Sequence, residues 1–329
     1  MPRGPTWLVL AICLVLHVTP CAASTENVSE FISILEETGF TVQEGRLSKL
    51  NVLELCSAGY VNYCFGNNAG FPYAIYILPP SIGQDPSPRQ APPIGYDPDA
   101  ADNYPANLDT VPAGMTYKLR PDEAIVLVGN TPPPARYFSF RSYLGFVENK
   151  PGKDYTGTPT FGDDEIGWYH RIYCSLGDPL NHLNMWTSNT PGGAAGNACG
   201  SATVLITTAD RGMNRMMRDA LTAAGYSPDI INDDNIPPSL VHMGLEKGKD
   251  TFLIIMRAAL WDQPNVGSNY LDNIGDHLRV FRITPNIPIA ASEPWPVPAL
   301  RVRETGVSEY QTIPNAAADL EHLRQEIIR

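Results

Sequence analysis

His182 stands four residues after Asp178, in a polar stretch from Gly162 to Asn189 that also holds Asp163, Asp164, Glu165, His170, Asn184 and Trp186. A turn over 178–182 would let the carboxylate orient the imidazole, the arrangement that makes a histidine a general base. His170 is the second candidate for proton transfer, and His242 and the Asp276-His277 pair complete the set. A separate group comes from Arg136 to Leu144 (RYFSFRSYL), where strand alternation puts Tyr137, Ser139, Arg141 and Tyr143 on one face and Phe138 and Phe140 on the other. Aromatic and guanidinium side chains sharing a face can grip a planar or anionic small molecule. Tyr137, Arg141, Tyr143 and Trp186 are therefore the candidate substrate-binding residues. The competing readings are plainer: a satisfied surface histidine and an ordinary solvated sheet face.

Other chemistries lack their residues. No G-x-S-x-G elbow, P-loop, H-E-x-x-H or G-x-G-x-x-G occurs. No two histidines of the mature chain share an H-x-H or H-x-x-x-H spacing, so the expected site holds no metal and no cofactor. Asp163-Asp164-Glu165 and Asp233-Asp234 lack the alternating acids of a calcium loop and read as solvated turns. The glycine-rich run Pro191 to Ser201 (PGGAAGNACGS) precedes a strand signal and not a helix, which suits a flexible loop or substrate lid better than a phosphate cradle.

The chain begins with Arg3, an apolar run from Trp7 to Val18 and small residues at Cys21-Ala22-Ala23, the pattern of a secretory signal over residues 1–23. That run falls short of the roughly 20 apolar residues a membrane span needs. A secreted, extracellular chain from residue 24 onward is the expectation, with Asn27-Val28-Ser29 as an N-glycosylation acceptor at Asn27. Four cysteines remain beyond the signal: Cys56, Cys64, Cys174 and Cys199. An even number in an oxidising compartment reads as two disulfides with three possible connectivities, of which Cys56–Cys64 and Cys174–Cys199 are favoured. The formal net charge of -12 would be repelled by phosphate backbones, so neither nucleic acid nor an anionic membrane is expected as a partner, and a small-molecule substrate is.

The elements that must position these residues are legible in part. Strand signals fall at Tyr73–Leu78, Ala124–Val128, Arg136–Leu144, Trp168–Cys174, Thr203–Thr208, Phe252–Arg257 and Leu278–Thr284. Phe252 to Met256 is apolar on both faces, as a covered central strand should be. Helices are expected over Val28–Glu37, over a Met213, Met216, Met217, Ala220, Leu221, Ala224 stripe capped by Asp210 and stopped by Gly225, and over Ala316–Ile328. Methionine on that stripe reads as core filling. A proline-rich, acidic stretch at about 79–112 is a long surface loop within one globular domain, 24–329. The expected fold class is α+β, a mostly antiparallel sheet with helices packed on one side, disulfide-bonded.

RPDEAIVLVG followed by PPPARYFSFRSYL resembles a group of uncharacterised secreted proteins over about the middle half of the chain, a likeness that brings no activity. In format alone, a single secreted chain of this size without the motifs of other luciferases, the sequence is similar to the secreted luciferases of syllid marine worms. No residue role is implied by that likeness. The functional expectation is a secreted enzyme for a small organic substrate, an oxidoreductase of the luciferase or monooxygenase type that uses oxygen without a bound cofactor. The alternatives are an extracellular small-molecule-binding protein and a structural matrix protein.

Overall fold

A computed structural model describes residues 25–50, 73–84, 115–150, 152–153, 160–161, 169–246 and 248–297, with isolated positions beyond 314. The segment 1–23 where a signal is expected, Cys56, Cys64, Asp163 to Glu165 and most of the proline-rich stretch lie outside the described residues. The chain divides into a unit ending at Pro296 and a second, Val297–Arg329. In the second unit residues 318, 321, 322 and 325 are helical, within the helix expected over Ala316–Ile328. There Gln325 donates to Glu321, one turn before it, at 2.8 Å.

The first unit stacks three layers. The helices α1 (Thr25–Glu37) and α2 (Arg211–Ala223) cover one face of a five-stranded sheet. That sheet is built from β1 (Phe40–Glu44), β4 (Ala124–Asn130), β9 (Ala202–Thr208), β10 (Ile231–Asn235) and β12 (Leu278–Pro285), in the order β1-β12-β4-β9-β10. Its other face packs on a seven-stranded sheet ordered β2-β3-β11-β5-β7-β6, with β8 paired to β5. These strands are β2 (Arg46–Leu50), β3 (Tyr73–Ile77), β5 (Ala135–Glu148), β6 (Thr160–Phe161), β7 (Tyr169–Ser175), β8 (Leu180–Asn181) and β11 (Thr251–Trp261). Every pairing is antiparallel except β9 with β10.

Alternation within strands builds two cores. On β4, Ile125 and Leu127 turn toward the second sheet while Ala124, Val126 and Val128 turn toward the helices. The Met213, Met217 and Leu221 stripe of α2 fills the helix-side core, each side chain contributing about 1.5–3 kcal/mol on burial. Asp210 caps that helix by accepting from the Met213 N–H at 3.0 Å. Gly225 follows at φ +91°, the left-handed stop that glycine takes without strain. Two short helices, α3 (Pro264–Asp272) and α4 (Ile274–His277), do not lie on that face: Tyr270, Leu271 and Ile274 enter the core between the sheets.

Two features depart from the expected fold. The pairing Cys174–Cys199 does not form, and both residues carry free thiols. Cys174 lies opposite Leu144 on β5, whereas the Cys199 sulfur accepts from the backbone N–H of Ala135 at the other end of that strand. Nine strand residues separate those anchors by ~30 Å, far beyond the roughly 7 Å a disulfide spans. Asp233 and Asp234 are not a solvated turn but part of β10. Asp233 faces α2, paired with Arg218 at 2.6 Å and accepting from Asn214 at 2.8 Å, while Asp234 faces the other sheet, where it accepts from the Ser142 hydroxyl of β5.

Close approach fixes the junction of α4 with β12. Gly129 adopts φ +144°, and a Cβ there would stand 2.0 Å from the His277 carbonyl oxygen. Gly129→Ala is expected to cost roughly 1–3 kcal/mol, read as a lowered urea midpoint.

Candidate functional site

The outer face of the seven-stranded sheet gathers most of the expected binding residues. β5 presents Tyr137, Ser139, Arg141 and Tyr143, and β11 sets Ala259, Arg257, Ile255 and Leu253 opposite them in register. Phe138 and Phe140, one residue out of phase, are buried in the inter-sheet core. The Arg257 guanidinium of β11 lies over the Tyr137 ring of β5 at 5.7 Å, and within β5 the Arg141 guanidinium lies over the Tyr143 ring at 5.8 Å, two cation–π pairs on one face.

His182 joins this group because β7 and β8 pair with successive parts of β5. β7 lies against Tyr143 to Glu148 and β8 against Ser139 and Phe140. The connection between them is tied to β5 by Leu176 N–H donating to the Ser142 carbonyl at 3.1 Å and by Arg141 Nη2 donating to the Gly177 carbonyl at 3.3 Å. After β8 the chain turns tightly. Asn181 Oδ1 accepts from Leu183 N–H at 2.8 Å, Asn184 Oδ1 accepts from Asn181 N–H at 2.7 Å, and His182 N–H donates to the Phe138 carbonyl at 3.2 Å. The imidazole therefore stands edge-on to Tyr137 at 5.6 Å and tilted against Phe138 at 6.2 Å. Its Nδ1 is buried with no hydrogen-bond partner, and so is Arg141 Nε. With its proton on Nε2, the imidazole holds an unused basic lone pair beside two aromatic rings.

The remaining sequence candidates are distributed elsewhere. Asp178 is exposed and no hydrogen bond or ion pair joins it to His182 among the described residues, so the turn after β8 and Tyr137, not a carboxylate, orient the imidazole. His170 lies on β7 opposite Val147, ~33 Å along β5 from Tyr137. Its Nδ1 is 2.7 Å from Asn149 Oδ1, and burial pulls its pKa down against the opposing charge of Asp250. Trp186 belongs to the five-stranded sheet: Asn232 accepts from its N–H at 2.7 Å and donates to its carbonyl at 2.8 Å, and its indole lies on Gly193. Pro191 to Ser201 forms a 3-10 turn at Pro191–Gly193 followed by a tie of Gly200 N–H to the Pro132 carbonyl at 2.8 Å. Asn27 sits half-buried in the first turns of α1, its amide against Gly225. His242 Nδ1 lies 3.5 Å from the buried Asp250 carboxylate, and His277 stacks on Tyr270 at 4.6 Å. Among the described residues no three His, Cys, Asp or Glu side chains group to hold a metal ion, and no helix is long and apolar enough to cross a membrane.

Sequence reasoning missed Arg257 and Asp234. Arg257 was hidden in an apolar strand, and only the register of β11 against β5 brings it over Tyr137. Asp234 Oδ2 accepts from Ser142 Oγ and from Thr207 Oγ1, the latter at 2.8 Å, joining the two sheets behind Arg141. Burial raises its pKa, partly offset by the two hydroxyls and by Arg141. Because the folded value lies above the unfolded one, folding binds a proton there, and stability contributed below about pH 3.9 is lost as pH rises through the folded value. Asp234→Asn keeps an acceptor for both hydroxyls. Its urea midpoint is expected to gain on that of the native chain as pH rises from 4 toward 8; a constant difference would contradict this assignment.

A separate cavity of about 580 Å³ is lined by Arg120, Asp122, Met243, Gly244, Lys249 and Ile289 among others. Arg120 and Asp122 are paired there at 2.5 Å, and Asp122 also accepts from Ile289 N–H at 2.9 Å. It shares no residue with the His182 group. Comparison with known protein families, curated proteins and solved structures finds no match to this chain.

Proposed function

We propose that the chain is a secreted enzyme that binds a planar, weakly acidic organic molecule on the Tyr137–Arg141–Tyr143 face and removes its proton with His182. The observation that carries this reading is the convergence of an unpartnered His182 Nδ1 with the Tyr137 ring and with the Arg257 guanidinium that lies over that ring from the neighbouring strand β11. Arg141 and Arg257 favour the anion that proton removal leaves, since a hydrogen bond to a charged group is stronger than one to a neutral group. Dioxygen is the co-substrate. The substrate carbanion adds to O2 to give a peroxide anion, and the imidazolium returns the proton, so substrate and O2 combine as a hydroperoxide and His182 is regenerated neutral. This is oxygenation of the luciferase or monooxygenase type with no bound cofactor. Nothing in the chemistry asks for Asp178.

The test of binding uses 7-hydroxycoumarin, a planar phenol whose excitation spectrum distinguishes phenol from phenolate. The native chain is expected to bind it saturably and shift it toward phenolate. Arg141→Ala should weaken binding about 10–100-fold, the value of one charge-assisted hydrogen bond. Equal affinity in the native chain and Arg141→Ala would remove the face from consideration. Binding without the phenolate shift would favour an extracellular binding protein, for which the same face serves without proton transfer.

A further inference from the structure

The cavity beside the turn that leads into β4 is walled by three segments, each held by its own hydrogen bonds. Arg120 N–H donates to Glu123 Oε2 at 2.8 Å and Glu123 N–H to the Arg120 carbonyl at 3.2 Å, which closes the turn. Residues 242–250 form the second wall. Gly244 N–H donates to the Leu119 carbonyl at 2.9 Å, Asp250 N–H to the His242 carbonyl at 3.0 Å, and Lys118 Nζ to the Glu246 carbonyl. The third wall follows β12 and is fixed by Ile289 N–H donating to Asp122 Oδ2 at 2.9 Å. At about 580 Å³, the space they enclose is the size of a small-molecule site.

The cations of this lining have donors to spare, and its buried carboxylate has no acceptor to spare. Arg120 spends Nε and Nη2 on the two oxygens of Asp122, at 2.8 and 2.5 Å, and its Nη1 has no partner among the described residues. Asp122 is 6% exposed and also holds the Ile289 N–H, so it is closed to a ligand. Half-buried Lys249 lines the same space, and its ammonium makes no hydrogen bond or ion pair among the described residues. Glu246 is the remaining charge. It is exposed; its Oε2 and Lys249 Cε both cross Gly244, at 2.6 and 3.1 Å from where a Cβ would stand, yet it does not close on the ammonium. The apolar part of the lining runs from Met243, which belongs to the core between the sheets, to Ile289, which is 42% exposed and would gain from being covered.

We propose that this cavity binds a small monocarboxylate with an apolar tail, its carboxylate taken by Arg120 Nη1 and Lys249 Nζ and its tail laid against Met243 and Ile289. Two charged donors meet two charged oxygens in that arrangement, whereas an alcohol of the same length presents one neutral oxygen and an ammonium is repelled. The net charge of -12 works against general uptake of anions, so selective carboxylate binding marks this local pair of cations. The site shares no residue with the His182 face and does not depend on the function proposed for it.

Calorimetric titration of the full chain with octanoate, 1-octanol and octylammonium tests the charge, and crystals soaked in 8-bromooctanoate test the place. Octanoate is expected to bind saturably, about tenfold or more tighter than octanol, with octylammonium weaker still. The anomalous bromine peak should fall inside the cavity, against Met243 or Ile289. Arg120 variants would disturb the pair with Asp122, so the variant arm uses two side chains outside it. Lys249→Met should weaken octanoate about tenfold or more and leave octanol unchanged. Glu246→Gln removes the competing carboxylate and should strengthen octanoate. Opposite shifts from two neighbouring substitutions are not the behaviour of a wall that merely loosens. No saturable octanoate binding, equal affinity for octanoate and octanol, tighter binding of octylammonium, or bromine outside the cavity would overturn the proposal. So would native octanoate affinity in Lys249→Met, or weaker binding in Glu246→Gln.

Discussion

Glu123→Ala should lower the stability of the chain by about 3–5 kcal/mol, the range for removing one partner of a buried ion pair. Both side chains of the Glu123–Arg282 pair are 0% exposed. The carboxylate holds the Arg120 N–H, the Thr284 and Ser81 hydroxyls and one guanidinium nitrogen, so its loss orphans donors from the turn before β4, from β12 and from the segment after β3 together. Urea unfolding reads the effect as a lowered midpoint at an unchanged slope. The double variant Glu123→Ala, Arg282→Leu should be more stable than Glu123→Ala alone, because it no longer leaves a charge unpaired in the interior. A Glu123→Ala cost under about 1 kcal/mol would mean that water reaches the pair.

His182→Ala carries the largest expected effect on activity. Loss of a positioned general base lowers turnover by about 10²–10⁴-fold, measured as oxygen uptake with planar phenols or enols. The fold should survive the change. His182 follows a two-residue strand at the sheet edge, and its contributions to packing are two ring contacts. Asp178→Ala should leave oxygen uptake within about twofold, since a base that works without a carboxylate partner has nothing to lose there. A His182→Ala chain with native uptake would assign the proton transfer elsewhere.

The sequence disclosed the strands whose hydrophobic period is strong and hid those without one. Ala124–Asn130 and Thr251–Trp261 are interior strands flanked on both sides, and their continuous apolar runs show it. β1 and β2, written FTVQE and RLSKL, lie at the sheet edges, where exposed polar positions blur the alternation. β10 was masked by its acids. Asp233 and Asp234 are tolerable in a strand because each face supplies a partner, Arg218 on one side and the Ser142 and Thr207 hydroxyls on the other, and those partners are distant in sequence. Division into two sheets was equally out of reach, since pairings such as Phe40 with Pro285 join the ends of the unit.

The site shows the same split. Alternation along β5 places Tyr137, Arg141 and Tyr143 together, a local property of one strand. His182 reaches them through the two residues of β8, too short for any period to register, and the spacing from Asp178 pointed to a carboxylate partner that the turn does not provide. Trp186 is only four residues further on, yet Asn232 draws it to the other sheet. Cysteine parity misled for a related reason: Cys174 and Cys199 are adjacent in order among the cysteines but are held at opposite ends of β5.

The most direct test of the central claim is a crystal structure of the chain with 7-hydroxycoumarin. The account predicts the bicyclic ring lying against Tyr137, its hydroxyl oxygen within hydrogen-bonding reach of the His182 imidazole and its lactone oxygens toward Arg141. A ligand seated in the cavity lined by Arg120 and Lys249, with the Tyr137 face bare, would contradict it.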